Sequence, residues 1–330
     1  MLQKAICCAS GFGVGLILML AGCGAAPDDG VTRLRLAHIY DLRAPTHACG
    51  ATEVARRVRE AEVGLEVTVY PAAQLGNEGE LLEQLATGQL EMAIAGPSFL
   101  ATWHELIGAF DAAYAFDDAD HLLAVANGPV GQELWDALRQ RHGMRVLHTW
   151  FYGERHITAR KPVRRPEDLQ GFRLRMPDAR VWLATGEALG ASPMPMAFTE
   201  VYLGLQQGIA DGQENPITTI QAMGFHEVQT HLNLTRHIQS STQLLIAERV
   251  WQRLNDAQRS ALEEAAQAAG IEVRACIERG DEEILARWRR DGALRIVEDV
   301  EVEAFRARAR KHFASGYVFS ELYGRIHGSQ

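Results

Sequence analysis

Apolar residues along the chain fall into short runs of period two and longer stretches at helical spacing, and the two patterns take turns. Leu34, Leu36 and His38 alternate with Arg33, Arg35 and Ala37, which predicts a first strand over 33–39. Ala51, Val54, Ala55 and Val58 then share one helical face, with Glu53, Arg56, Arg57 and Arg59 mostly outside it, and Gly64 stops the helix. Leu65, Val67 and Val69 alternate with Glu66, Thr68 and Tyr70 as a second strand ended by Pro71. Leu81, Leu82 and Leu85 stripe a second helix, and 90–94 is a third strand. Strand, helix, strand, helix, strand predicts an α/β layer with a largely parallel sheet. Ligands of such sheets sit beyond the carboxyl ends of the strands, so the loops after Ile39, Tyr70 and Ile94 are expected walls of a site.

Residues 117–141 read as helical with a break at Gly128-Pro129, and 144–152 as an apolar strand. A second α/β unit is expected from Gly153, with strands over 155–160, 172–176 and 194–197 and helices over 179–189 and 199–207. Asp211 to Pro216 reads as a polar turn, and 232–238 and 243–247 as two strands running back to the first unit. Asn255 or Asp256 caps a helix that reaches Arg290, interrupted at Gly270 and Gly280 and roughly 50 Å long. Such a helix is long enough to be a beam shared by two domains. A last helix is expected over 300–323.

The chain has 330 residues, 47% of them hydrophobic and 23% charged, as in an ordinary globular protein large enough for two domains. A formal charge of −9 without a basic cluster excludes nucleic acid as the expected partner, because phosphate backbones require concentrated Lys and Arg. Small anions need only a local positive site. After Lys4 an uncharged stretch, with its apolar centre at 14–20, has the length of a signal-peptide core and ends at Leu20-Ala21-Gly22-Cys23. That tetrapeptide resembles a bacterial lipobox, so residues 1–22 are expected to be removed, Cys23 to carry lipid and 23–31 to act as a tether; a plain cleaved signal is the alternative. Cys7 and Cys8 leave with the signal; Cys49 and Cys276 could form one disulfide in an oxidising compartment, but nothing in the sequence brings them together, and they are expected to be free and buried.

Enzyme signatures are missing: the sequence contains no Gly-x-Ser-x-Gly elbow, no phosphate-binding glycine loop and no dinucleotide fingerprint. His142, His148 and His156 lack metal-ligand spacing, so no metal site and no cofactor are expected. The acidic pairs Asp28-Asp29, Asp117-Asp118 and Glu282-Glu283 read as helix starts or tails. Four features remain. Phe172, Leu174 and Met176 alternate with Arg173 and Arg175, so a strand ending at Pro177 delivers Arg175. Arg155 follows the aromatic run Trp150-Phe151-Tyr152, Phe198 closes 193–198, and Asn215 precedes Pro216. Guanidinium forks, an amide and a ring suit an organic acid, although Phe198 also fits a core position and Asn215 a turn.

These segments carry a family resemblance. Val69-Tyr70-Pro71-x-x-Gln74-Leu75-Gly76, Pro166-x-Asp168-Leu169-x-Gly171-x-x-x-Arg175-x-Pro177, Pro193-x-Pro195-Met196-x-Phe198-x-Glu200-Val201-Tyr202 and Asp211-Gly212-Gln213-Glu214-Asn215-Pro216 resemble the substrate-binding proteins of tripartite ATP-independent periplasmic (TRAP) transporters. The resemblance runs over about residues 32 to 325. It implies a two-domain α/β fold of the periplasmic-binding-protein kind, a hinged trap with crossing strands and a long domain-spanning helix. Domain I is then 32–152 plus about 241–280, and domain II 153–240 plus about 281–330. The implied function is extracytoplasmic capture of an organic acid by a monomer that delivers it to a membrane permease. Arg175 would clamp the carboxylate, Arg155 would be a second contact, Asn215 the amide donor and Phe198 a packing ring, with Trp150 and Tyr152 beside them. Members that bind sialic acid carry a glutamate where this chain has Ala95-Gly96-Pro97, which points to another acid. A receptor for a membrane sensor and an enzyme acting on an organic acid are the alternatives.

Overall fold

The alternating runs become strands of one mixed sheet. The computed structural model describes residues 30–328; the signal-like segment, Cys23 and Asp28-Asp29 lie outside them. The strands are β1 (Thr32–Ala37), β2 (Leu65–Tyr70), β3 (Met92–Ala95), β4 (Met144–Ala159), β5 (Arg173–Met176), β6 (Ser192–Pro195), β7 (Gly212–Pro216), β8 (His231–Ala247) and β9 (Arg295–Val297). Their order is β2-β1-β3-β8-β4-β7-β5-β6, with β9 on β8. β1 is parallel to β2 and β3, and β5 to β6 and β7, as the strand–helix alternation requires. Between these two parallel groups, β4 and β8 run antiparallel to each other through both halves of the sheet.

The sequence predicts two short strands in each place where the structure has one long one. β4 passes through Gly153 without ending, and β8 spans 17 residues. Gly153 bends β4 instead of breaking it: its φ of 124° belongs to the region that favours glycine, and a Cβ there would lie 2.6 Å from the Pro216 Cβ. The expected domain boundaries at 152/153 and 240/241 fall inside these two strands, and that at 280/281 inside the long helix.

The expected turn at 211–216 is mostly strand: Gly212–Pro216 form β7, a central strand between β4 and β5 in which all five residues are buried, while Asp211 just before it pairs with Arg173. Its polar side chains mimic a turn in sequence, but each finds a partner inside the sheet.

The long helix, Asp256–Asp291, begins at a reciprocal cap in which Asn255 accepts from the Gln258 N–H and Gln258 returns the bond, and it ends before Gly292 with φ 70°. Gly270 does not interrupt it. A Cβ at Gly270 would stand 2.8 Å from Trp150, so the residue permits close approach of helix and strand. Glu282-Glu283 lies in the interior of this helix rather than at an end. The last expected helix is two, Val302–Phe313 and Ser320–Gly328.

Cys49 and Cys276 are neither free nor fully buried; they form a disulfide. The helical turn Thr46–Ala51 packs on the long helix and brings cysteines 227 residues apart to a Cα–Cα distance of 6.6 Å, within bonding range. Leu36, Ile94, Leu245 and Val273 belong to the larger apolar cluster, and Val201, Ile220, Phe225 and Trp288 to a second one.

Candidate functional site

A cavity of about 780 Å³, within the size range of small-molecule sites, is lined from both halves of the sheet. The three loops expected as walls contribute Ile39 and Tyr40, Ala73, and Gly96. Arg155, Arg175, Asn215, Phe198 and Tyr152 all line it.

Arg175 sits in β5, hemmed by β6 and β7, and is 2% exposed. Its Nε and Nη2 donate to the Met196 carbonyl at 3.1 and 2.7 Å, and its guanidinium stands 6.0 Å from the Phe198 ring. Burial lowers its pKa to about 10, so it stays charged at neutral pH. Among the described residues no carboxylate lies within ion-pair distance of it. A buried, uncompensated guanidinium is costly on its own and is matched by an anion.

Arg155 has the opposite circumstances. From β4 its Nε meets Glu214 Oε2 at 2.5 Å and its Nη2 meets Glu214 Oε1 at 2.8 Å and Asn215 Oδ1 at 3.0 Å. Trp182 lies under the guanidinium at 4.5 Å. His237 Nε2 stands 3.2 Å from Glu214 Oε2, and His237 Nδ1 stands 2.8 Å from Thr235 Oγ1. Burial pushes the Glu214 carboxyl up, but Arg155 outweighs it and holds the group below the usual range. Burial likewise lowers Arg155, and Glu214 reverses the shift. The pair is therefore an internal ion pair set into the cavity wall.

The amide of Asn215 accepts from Arg155 and donates from Nδ2 to Gln213 Oε1 at 2.6 Å, and Gln213 continues to Thr158. Tyr152 accepts from Thr219 at 3.0 Å and packs its ring 5.2 Å from Tyr40, which in turn stands 6.5 Å from Phe198. These rings give the cavity an apolar side.

Trp150 is not part of the site. Its indole N–H donates to the Ala266 carbonyl at 2.9 Å, and its ring is wedged between Gly50 and the long helix. The β4–β8 register shifts between Phe151 and Gly153, which interrupts the alternation at Tyr152 and separates the surroundings of the two aromatics.

Two acids that the sequence does not single out line the cavity. Glu78, in the first turn of the helix Glu78–Thr87, lines the cavity at 7% exposure and accepts from the Gly96 N–H. Burial pushes its pKa up to about 7. Asp111 is fully buried, accepts from Ser98 N and Oγ at 2.9 and 2.7 Å, and is pushed up to about 6 by burial. In sequence Glu78 passes for a helix-start acid beside the cap Asn77. Asp111 offered a signal, a lone acid inside the apolar run 107–116.

The chain matches the family model for bacterial extracellular solute-binding protein, family 7, over residues 37–317. It is 35% identical over 228 residues to the sialic acid-binding periplasmic protein of Vibrio cholerae, covering 69% of this chain and 71% of that protein. A TRAP periplasmic solute-binding protein of Roseobacter denitrificans, solved with 3-deoxy-D-manno-oct-2-ulosonic acid, superposes with a TM-score of 0.85 at 28% identity over 91% of this chain and 100% of that one. Another from the same organism, solved with L-galactonate, gives 0.82 at 30% identity over 90% and 97%. With a family match over most of its length and this fold, the chain is a member of family 7 of the bacterial extracellular solute-binding proteins, the substrate-binding proteins of TRAP transporters.

Proposed function

We propose that the cavity captures an organic-acid anion outside the cytoplasm and that the chain delivers it to a TRAP-type membrane permease. The observation that carries this reading is Arg175, a buried cation on the cavity wall with no carboxylate partner among the described residues. A ligand carboxylate supplies the missing charge, and charge-assisted hydrogen bonds contribute about 1.5–3 kcal/mol each. Phe198, Tyr40 and Tyr152 pack against the carbon skeleton, and Asn215 presents a polar edge held in place by Arg155 and Gln213. Arg155 acts through this wall more than as a free clamp, since Glu214 occupies its fork. The two halves of the sheet are the moving lobes of a hinged trap, with β4, β8 and the long helix as the segments that cross between them. Binding without turnover is the expected chemistry. The chain is tethered through lipid on Cys23, on the strength of its lipobox-like tetrapeptide.

Calorimetry with a panel of carboxylic acids tests the clamp. Arg175→Lys keeps a positive charge but loses the planar fork, so the cognate acid binds it about tenfold to a hundredfold more weakly. Equal affinity in the variant refutes the bidentate role.

A further inference from the structure

Charge is distributed unevenly around the cavity. Two guanidinium groups and five carboxyl groups, those of Glu78, Glu83, Asp111, Asp178 and Glu200, line it. Arg155 brings no net charge to a ligand, because Glu214 balances it and with the Asn215 amide holds its Nε and Nη2, leaving Nη1, 3.5 Å from Ser240 Oγ. Arg175 is the remaining cation. Glu78 and Asp111 are buried, and among the described residues neither has an ion-pair partner. Neutral polar groups fill other parts of the wall, with Ser240, Ser241 and Thr242 contributed by β8. Asp111 Oδ1 and Thr242 Oγ1 are buried oxygens without a hydrogen-bond partner among the described residues, on residues that line the cavity. Buried polar atoms are nearly always paired, and a carboxylate oxygen accepts only from a donor.

We propose that the site selects an acid with a single carboxylate and a hydroxyl-bearing body, and that Glu78 and Asp111 reject a second carboxylate while accepting the ligand's hydroxyl donors. The proposal rests on Arg175 as the clamp. One free cation balances one carboxylate. A second carboxylate in the same cavity meets two buried acids in a medium where like charges repel strongly, and no cation is left to offset them. Hydroxyl groups serve the acids as donors and the serine and threonine hydroxyls as either partner.

Matched pairs that differ only in the terminal group separate the two outcomes. Binding of D-gluconate against D-glucarate, D-galactonate against galactarate, and D-erythronate against meso-tartrate is measured by calorimetry at pH 8 with the mature chain. The monocarboxylate of at least one pair is expected to bind, about a hundredfold or more tighter than its dicarboxylate. Glu78→Gln keeps the acceptor for Gly96 and removes the charge, and it is expected to narrow that gap about tenfold; Asp111→Asn serves the same purpose if the first variant does not fold. A dicarboxylate that binds as tightly as its partner, or a gap unchanged in both variants, overturns the proposal. Tight binding of succinate alone overturns it too, yet leaves organic-acid capture intact if Arg175→Lys weakens that binding. If no hydroxy acid, dicarboxylate or 2-oxo acid binds, the organic-acid reading itself falls.

Discussion

Replacing Glu78 by glutamine should change how the stability of this protein depends on pH. The carboxyl is enclosed by the cavity wall and the loop after β3, where its Oε1 accepts from Gly96. Burial raises its pKa from 4.5 to about 7; the Gly96 bond opposes that shift and the Asp111 charge adds to it. Between those two values the folded chain holds a proton that the unfolded chain has lost. The stabilisation is complete below pH 4.5 and disappears as pH rises through 7. The gap between the two values corresponds to about 3 kcal/mol. Glutamine preserves the acceptor and has no proton to lose, so Glu78→Gln should match the wild type near pH 5 and exceed it by up to about 3 kcal/mol at pH 8. For a chain of this size that is about 5 °C in Tm. Asp281, raised by burial to about 7, acts in the same direction in both proteins and drops out of the difference, whereas Asp111 feels the loss of the Glu78 charge, so the two curves differ by the titration of Glu78 together with its coupling to Asp111. Thermal and urea unfolding of ligand-free protein at both pH values, followed by the fluorescence of the six tryptophans, gives that difference. Parallel loss of stability in wild type and variant between pH 5 and 8 refutes a buried, ionising Glu78.

Two further perturbations act on one covalent and one ionic tie within the fold. Cys49→Ser with Cys276→Ser removes a link across 227 residues and should cost about 3–5 kcal/mol. Reductant should then lower the Tm of the wild type to that of the double variant without affecting the variant; a wild-type Tm insensitive to reductant counts against the bond. Glu214→Gln leaves Arg155 charged and buried without its partner, and should cost about 3–5 kcal/mol by chemical unfolding at pH 7. An unchanged midpoint there would show that the ion pair does not hold the wall.

The sequence by itself determined the local elements and the family. Alternation in Leu34–Leu36 and Leu65–Val69 gives β1 and β2, and Asn255 with Gln258 starts the long helix where the capping chemistry requires. The segment from Pro166 to Pro177 singles out Arg175, which the cavity then presents. These are readable because backbone periodicity and caps depend on residues a few positions apart. What sequence could not give depends on contacts across the chain. Gly153 reads as a break, yet it is a bend that lets β4 continue, because Pro216 lies against it. The polar run 212–216 reads as a turn, yet it is buried, because Arg155, Thr158 and His237 meet its side chains there. Trp150 and Tyr152 look alike until the shift in register separates them. Arg155 and Arg175 look equivalent as charges, and only the tertiary structure distinguishes the one that Glu214 neutralises from the one with no carboxylate partner among the described residues. The physical reason is that the energy of a charge is set by its burial and by partners within a few ångströms, and folding brings a carboxylate from 59 residues away to Arg155 but, among the described residues, only the Met196 carbonyl to Arg175.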